Sequence, residues 1–171
     1  MWQSLSPMLQ EFHRESATTR RVLDRVPADK LTWAPHTKSM TIGKLAHHIA
    51  SVPGGISRIA QDDVHDIDPA AFAPPQPKDK QEILDAFEAS SKTAQEFIEG
   101  LSEAQATAVW RLKANGHEIL AIPRVELIRN IMFNHLYHHR GQLSVYLRLL
   151  EVPVPSIYGP SADENPFAQA R

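Results

Sequence analysis

Three histidines, His135, His138 and His139, sit in the stretch NHLYHHRGQL between the apolar runs IRNIMF and SVYLRLL. A neutral imidazole is a common metal ligand, and two of them spaced i, i+4 project side by side from a helix. At roughly 100° per residue from Ile128, Ile131 lies near −60°, Met132 near +40° and Tyr146 near zero. His135 then falls at about −20° and His139 at about +20°, while His138 comes out near −80°. The spacing therefore predicts His135 and His139 at the centre of the buried stripe, with His138 on its edge. Leaving such polar groups buried and unpaired costs on the order of a few kcal/mol each, so something must satisfy them.

A partner stands upstream in LAHHIA. With Ile42 at zero, the stripe of Leu45, Ile49 and Val52 centres near −40°, which leaves His48 about 80° away and His47 nearly opposite. His48 can reach the interior, and His47 is expected in water. A lone histidine on an apolar face is ordinarily a hydrogen-bonded core residue. Two at i, i+4 joined by a third from another helix favour a divalent metal instead. The pattern is less specific than HExxH, whose glutamate also declares the chemistry.

Other chemistries find less support. The chain has no cysteine, which removes disulfides, thiolate ligands and a cysteine nucleophile together. Ser51 and Ser144 lack an evident His–Asp relay. No GxxxxGK[ST] or GxGxxG pattern occurs. Trp33 and Trp110 read as packing or edge residues. Gln142 falls on the inward side, where it can serve a ligand, a substrate or a plain helix–helix hydrogen bond, and the roles of His138 and Arg140 stay open. The net charge of −2 offers no basic field for phosphates, so nucleic acid is not an expected partner. No apolar run reaches the roughly 20 residues of a membrane span. The N-terminus lacks the basic and apolar regions of a signal peptide, and a cytoplasmic location is expected.

The elements that must position these residues are helical. Trp2, Leu5, Met8, Leu9, Phe12, Thr19, Val22, Leu23 and Val26 recur at threes and fours before Pro27. A second helix opens at Ser39–Thr41 and runs through Ile56, with a kink or break expected at Pro53-Gly54-Gly55. A third carries Ile83, Leu84, Phe87, Ala94, Phe97, Ile98 and Leu101. The fourth starts near Pro123 and ends near Leu150. Between the second and third, QDDVHDIDPAAFAPPQPKDK reads as an extended surface crossover, not a packed element. Apolar alternation around Asn115-Gly116 predicts a short β-ribbon before the last helix. The tail after Glu151 is proline-rich and expected to be extended, with Ile157 and Tyr158 able to pack back. A single all-α domain over residues 1–171, a four-helix bundle with one long crossover, is the expected fold.

The stretches LTWAPHTKSMTIGKLAHHIASVPG and NHLYHHRGQLSVYLRLLEVPVPSIYGPSADE, about a third of the chain, resemble the DinB family, also described as DinB/YfiT-like. The second is the more specific, combining His-x-x-His-His-Arg-Gly-Gln with an aliphatic helix and a Tyr-Gly-Pro tail. The resemblance implies an up-down-down-up four-helix bundle, a homodimer, and a zinc or nickel ion held by His48, His135 and His139. It further implies a metal-dependent transferase or hydrolase acting on a small molecule, with a low-molecular-weight thiol as cosubstrate. Three histidine ligands leave a coordination position open, as catalytic sites do. Asp163 and Glu164 in the tail are candidate acids near that site. A non-catalytic, metal-binding dimeric bundle is the alternative.

Overall fold

The computed structural model describes residues 5–68 and 74–168, so Trp2 and part of the crossover lie outside the described residues. The protein is mostly helical, with a small three-stranded sheet. Helix α1 spans Ser6–Leu23, with Pro7 in its first turn, where a missing N–H costs nothing. Helix α2 spans Ile42–Ile59, capped by the Thr41 side chain accepting from Lys44 N–H. Helix α3 spans Lys80–Gly100, with Asp79 capping Glu82 N–H. The short α4, Glu103–Thr107, opens with a reciprocal Ser102/Gln105 capping box. The last helix is continuous in three pieces: α5 (Arg124–Leu127), a π-helical segment (Ile128–Asn134) and α6 (His135–Leu149).

Of the kink or break expected at Pro53-Gly54-Gly55, the break does not occur; α2 is continuous through it. Packing explains why. Val52, Pro53 and Gly54 are buried, and the Gly54 N–H donates to Ser90 Oγ on α3 at 2.8 Å. A Cβ at position 54 would stand 2.8 Å from Ser90 Cα. The glycine is there for close helix contact, and that contact offsets the cost of an internal proline.

The predicted ribbon forms from β2 (Val109–Ala114) and β3 (His117–Pro123), joined by Asn115 (φ 51°) and Gly116 (φ 81°). Positive φ at both central residues matches the right-handed twist of a hairpin, which is why Asn-Gly signals one. The crossover needs correction. Its residues Val64–Ile67 form β1, which pairs in parallel with β2 from Val64↔Arg111 to Ile67↔Ala114. Sequence periodicity missed this strand because only four residues pair and they are exposed or half-buried. Asp66 also accepts from the Gly116 N–H at 2.9 Å, tying crossover to hairpin.

The sheet is fastened to the helices by two buried groups. Trp110, 1% exposed, donates from Nε1 to Ile59 O at 3.1 Å. The Arg124 guanidinium, 3% exposed, donates to Ala60 O, Gln105 O and the Asp63 carboxylate at 2.7, 2.6 and 2.8 Å.

The π segment decides how the last helix meets the core. An i→i+5 turn holds one residue more than an α turn, so everything beyond it lags by about 100°. With that lag, Leu136, Arg140, Leu143 and Leu147 fall at about −20°, +20°, −40° and 0° from Ile128. All four are buried, as are Ile128, Met132 and Phe133. His135 and His139 move to about −120° and −80°, and both are half-buried. Their expected place at the centre of the stripe is thus corrected. They lie on its flank.

Two outcomes follow. Gly54→Ala should lower unfolding free energy by about 1–3 kcal/mol in a urea titration, since the added methyl must push α2 from α3. Deleting the exposed Asn130 should restore α spacing and swing Leu136, Arg140, Leu143 and Leu147 off the core. A urea midpoint unchanged by that deletion would mean that the wide turn carries no packing role.

Candidate metal centre

His48 on α2 and His135 and His139 on α6 converge, each offering a ring nitrogen, all within 4.8 Å of one another. Nε2 of His48 lies 3.1 Å from Nε2 of His135. The ring centroids of His48 stand 5.1 Å from His135 and 4.7 Å from His139, and those of His135 and His139 are 4.5 Å apart. Zinc–nitrogen bonds of about 2.0–2.1 Å at tetrahedral angles put neighbouring ligand atoms about 3.3 Å apart. The 3.1 Å pair already stands at that separation, and the third nitrogen lies within 4.8 Å of both. Among the described residues no carboxylate joins this group. The donor set therefore fits a divalent ion taken by imidazole ligands.

His135 and His139 have different neighbours at their rings. The Ile131 backbone, inside the widened turn, acts on the His135 ring and raises its pKa against the larger effect of burial. Nδ1 of His139 pairs with Gln142 Oε1 at 2.9 Å. Burial is the first cause that lowers the pKa of all three, followed for His48 by the neighbouring His139 and His135. His48 is pushed down to about 4. Neutral imidazoles, with lone pairs available, therefore dominate at neutral pH.

His47 departs from its expected exposure. It is half-buried, and its Nδ1 is shut off from solvent with no hydrogen-bond partner among the described residues. Counting only large aliphatic residues made the buried face of α2 look too narrow. Gly43, Ala46, Ala50, Pro53, Gly54 and Ser57 are buried too, widening it to roughly 200°, with His47 and His48 at opposite edges. His138 is exposed, its ring 4.8 Å from that of His139.

Arg140, whose role the sequence left open, is a buried anchor, 1% exposed. It donates to Glu15 Oε2 at 2.6 Å, Thr19 Oγ1 at 3.1 Å and Tyr158 Oη at 2.5 Å. One turn before Glu15 on α1, Glu11 accepts two 2.7 Å bonds from the Arg129 fork, and Tyr137 donates to the same carboxylate at 2.7 Å. The Arg129 hydrogen bond holds the Glu11 carboxyl below its usual range. Asp163 and Glu164, candidate acids of the site by sequence, serve the tail instead. Asp163 pairs with Arg148, and Glu164 with Arg21 and Arg25. A Glu11/Glu15 pair at i, i+4 on α1 was the one available signal for these anchors.

Comparison with known proteins agrees with this fold. The model of the DinB family matches residues 1–168. The uncharacterized protein YrdA of Bacillus subtilis (strain 168) is 27% identical over 166 residues, covering 96% of this chain and 93% of its own. A DinB-like protein of Bacillus cereus ATCC 10987 superposes with a TM-score of 0.67 at 20% identity, covering 88% of this chain and 95% of that one. The DinB-like protein YjoA of Bacillus subtilis gives 0.66 at 16% identity, over 94% and 100%. These likenesses speak for the fold.

The depressed histidine pKa values set the acid behaviour of the metal-stripped protein. A folded value of about 4 against an ordinary 6.5 means that the unfolded chain takes up the proton first. The stabilisation from neutral His48 is full above about pH 6.5 and is lost as pH falls from 6.5 towards 4. An NMR titration of the His48 ring after chelation should place its midpoint near 4; a midpoint at 6.5 would contradict the burial argument.

Proposed function

The chain belongs to the DinB family, and on that premise we propose that His48, His135 and His139 together hold one divalent metal ion, zinc or nickel. The observation that carries this reading is the convergence of three imidazoles, kept neutral by burial, from two helices far apart in sequence. The same reading makes the protein a metal-dependent enzyme acting on a small molecule, a thiol-dependent transferase or a hydrolase.

A bound ion of this kind supplies Lewis acidity towards a thiol or water. The chain's own contribution is to leave that charge undiminished. All three donors are neutral, and the α1 carboxylates Glu11 and Glu15 are engaged by Arg129 and Arg140. An anionic ligand such as a thiolate is favoured by that balance. The chain has no cysteine, so the thiol comes from a low-molecular-weight cosubstrate.

The wider architecture we infer is an up-down-down-up four-helix bundle forming a single domain over residues 1–171. It is supported by α2 packing on both α3 and α6, with α1 against the same two helices. A homodimer in the cytoplasm completes the reading. One observation favours the second reading, a non-catalytic dimeric bundle in which the metal is structural. The cleft of about 460 Å³ lined by Ala60, Phe97 and Arg124 includes none of the three histidines.

Protein purified without a metal-affinity tag should carry about one zinc or nickel per chain by elemental analysis. His48→Ala should lose more affinity than the roughly 10- to 100-fold typical of changes to groups that merely orient ligands. His47→Ala should bind as the wild type does. With cobalt in place, small thiols should shift the visible spectrum, and turnover against an electrophile panel should vanish in His135→Ala. A cobalt spectrum indifferent to thiols would turn the reading to the non-catalytic bundle.

A further inference from the structure

We propose that Gln142 is a positioning residue of the histidine cluster: its side-chain oxygen accepts from His139 Nδ1 and thereby commits the opposite nitrogen, Nε2, to the cluster as the lone-pair donor. The proposal rests on the metal-binding reading above.

A neutral imidazole has one N–H and one lone pair, and whichever nitrogen finds an acceptor keeps the proton. Gln142 lies at i+3 from His139 on the regular part of α6, where the two side chains are neighbours on the helix surface. The Nδ1···Oε1 distance is 2.9 Å. His135 stands one turn past Ile131, whose backbone in the π segment acts on its ring. His139 lies past that segment, where α-helical carbonyls are taken up by N–H groups four residues on. A side-chain acceptor must stand in for the backbone there.

The choice of an amide is chemically specific. A carboxylate would accept the same hydrogen bond, but it would add a negative charge beside the cluster. An amide oxygen orients the ring without doing so. The acceptor thus sets the direction of the ring and keeps its surroundings neutral.

The experiment compares wild type, Gln142→Leu and Gln142→Glu, each with ¹⁵N-labelled histidine. Long-range ¹H–¹⁵N spectra of the chelator-stripped proteins read the His139 tautomer, and competition with a chromophoric chelator reads the zinc affinity. Wild type should show the Nδ1–H tautomer. Gln142→Leu should lose that preference and bind zinc about 10- to 100-fold more weakly, and Gln142→Glu should restore both. A Leu variant matching the wild type in tautomer and affinity overturns the proposal. So does one that only lowers the urea midpoint, since a merely structural side chain would do that. Failure of the wild type to bind zinc, with the tautomer still dependent on residue 142, removes the metal reading and leaves the positioning role standing.

Discussion

One extra residue in the turn between Ile128 and Asn134 governs how the rest of the molecule fits together. The last helix must fill the core and also present two imidazoles to α2. A uniform α-helix cannot do both with this sequence, because at about 100° per residue His135 and His139 would occupy the positions that the core needs for aliphatic side chains. The π segment resets the phase. Leu136, Leu143 and Leu147 line up behind Ile128, and the histidines come to the flank where His48 meets them. Single π turns are uncommon and often stand beside functional sites, and here the geometric reason is visible.

A helix whose phase matters must also be held against rotation. Arg140 supplies that hold from the same stripe as the leucines, buried against Glu15, Thr19 and the Tyr158 hydroxyl, with its guanidinium 5.2 Å from the Tyr158 ring centroid. A charge at 1% exposure is tolerable only when its donors are met, and α1 and the tail provide the acceptors. The Glu11, Arg129 and Tyr137 set repeats the arrangement one turn earlier on α1. On α2 the corresponding constraint is steric, with Gly54 against the Ser90 backbone. Arginine and glycine, neither of them a ligand candidate, fix the helices on which the three histidines ride.

The electrostatic layout divides along the last helix. Arg129 and Arg140 face α1 and take up Glu11 and Glu15 there, while His135 and His139 face His48 on α2. That separation keeps acids away from the cluster and lets burial, as the leading influence, draw the imidazole pKa values down. The tail acids obey the same division, since Asp163 and Glu164 end on Arg148, Arg21 and Arg25.

By itself the sequence determined the long helices, the Asn-Gly hairpin and the identity of His48, His135 and His139 as residues facing a common space. Those features rest on local periodicity, turn chemistry and residue type, which one chain segment carries alone. His48 was distinguishable from His47 by rotation, although the width of α2's buried face was not, because small residues bury without an apolar signature. What only the tertiary structure decided depends on partners distant in sequence. The π turn, the uninterrupted passage of α2 through Pro53, the parallel pairing of Val64–Ile67 with β2 and the burial of Arg140 are all of this kind. Each sets a local conformational cost against a contact made across the fold, and a local pattern cannot weigh a contact it does not contain.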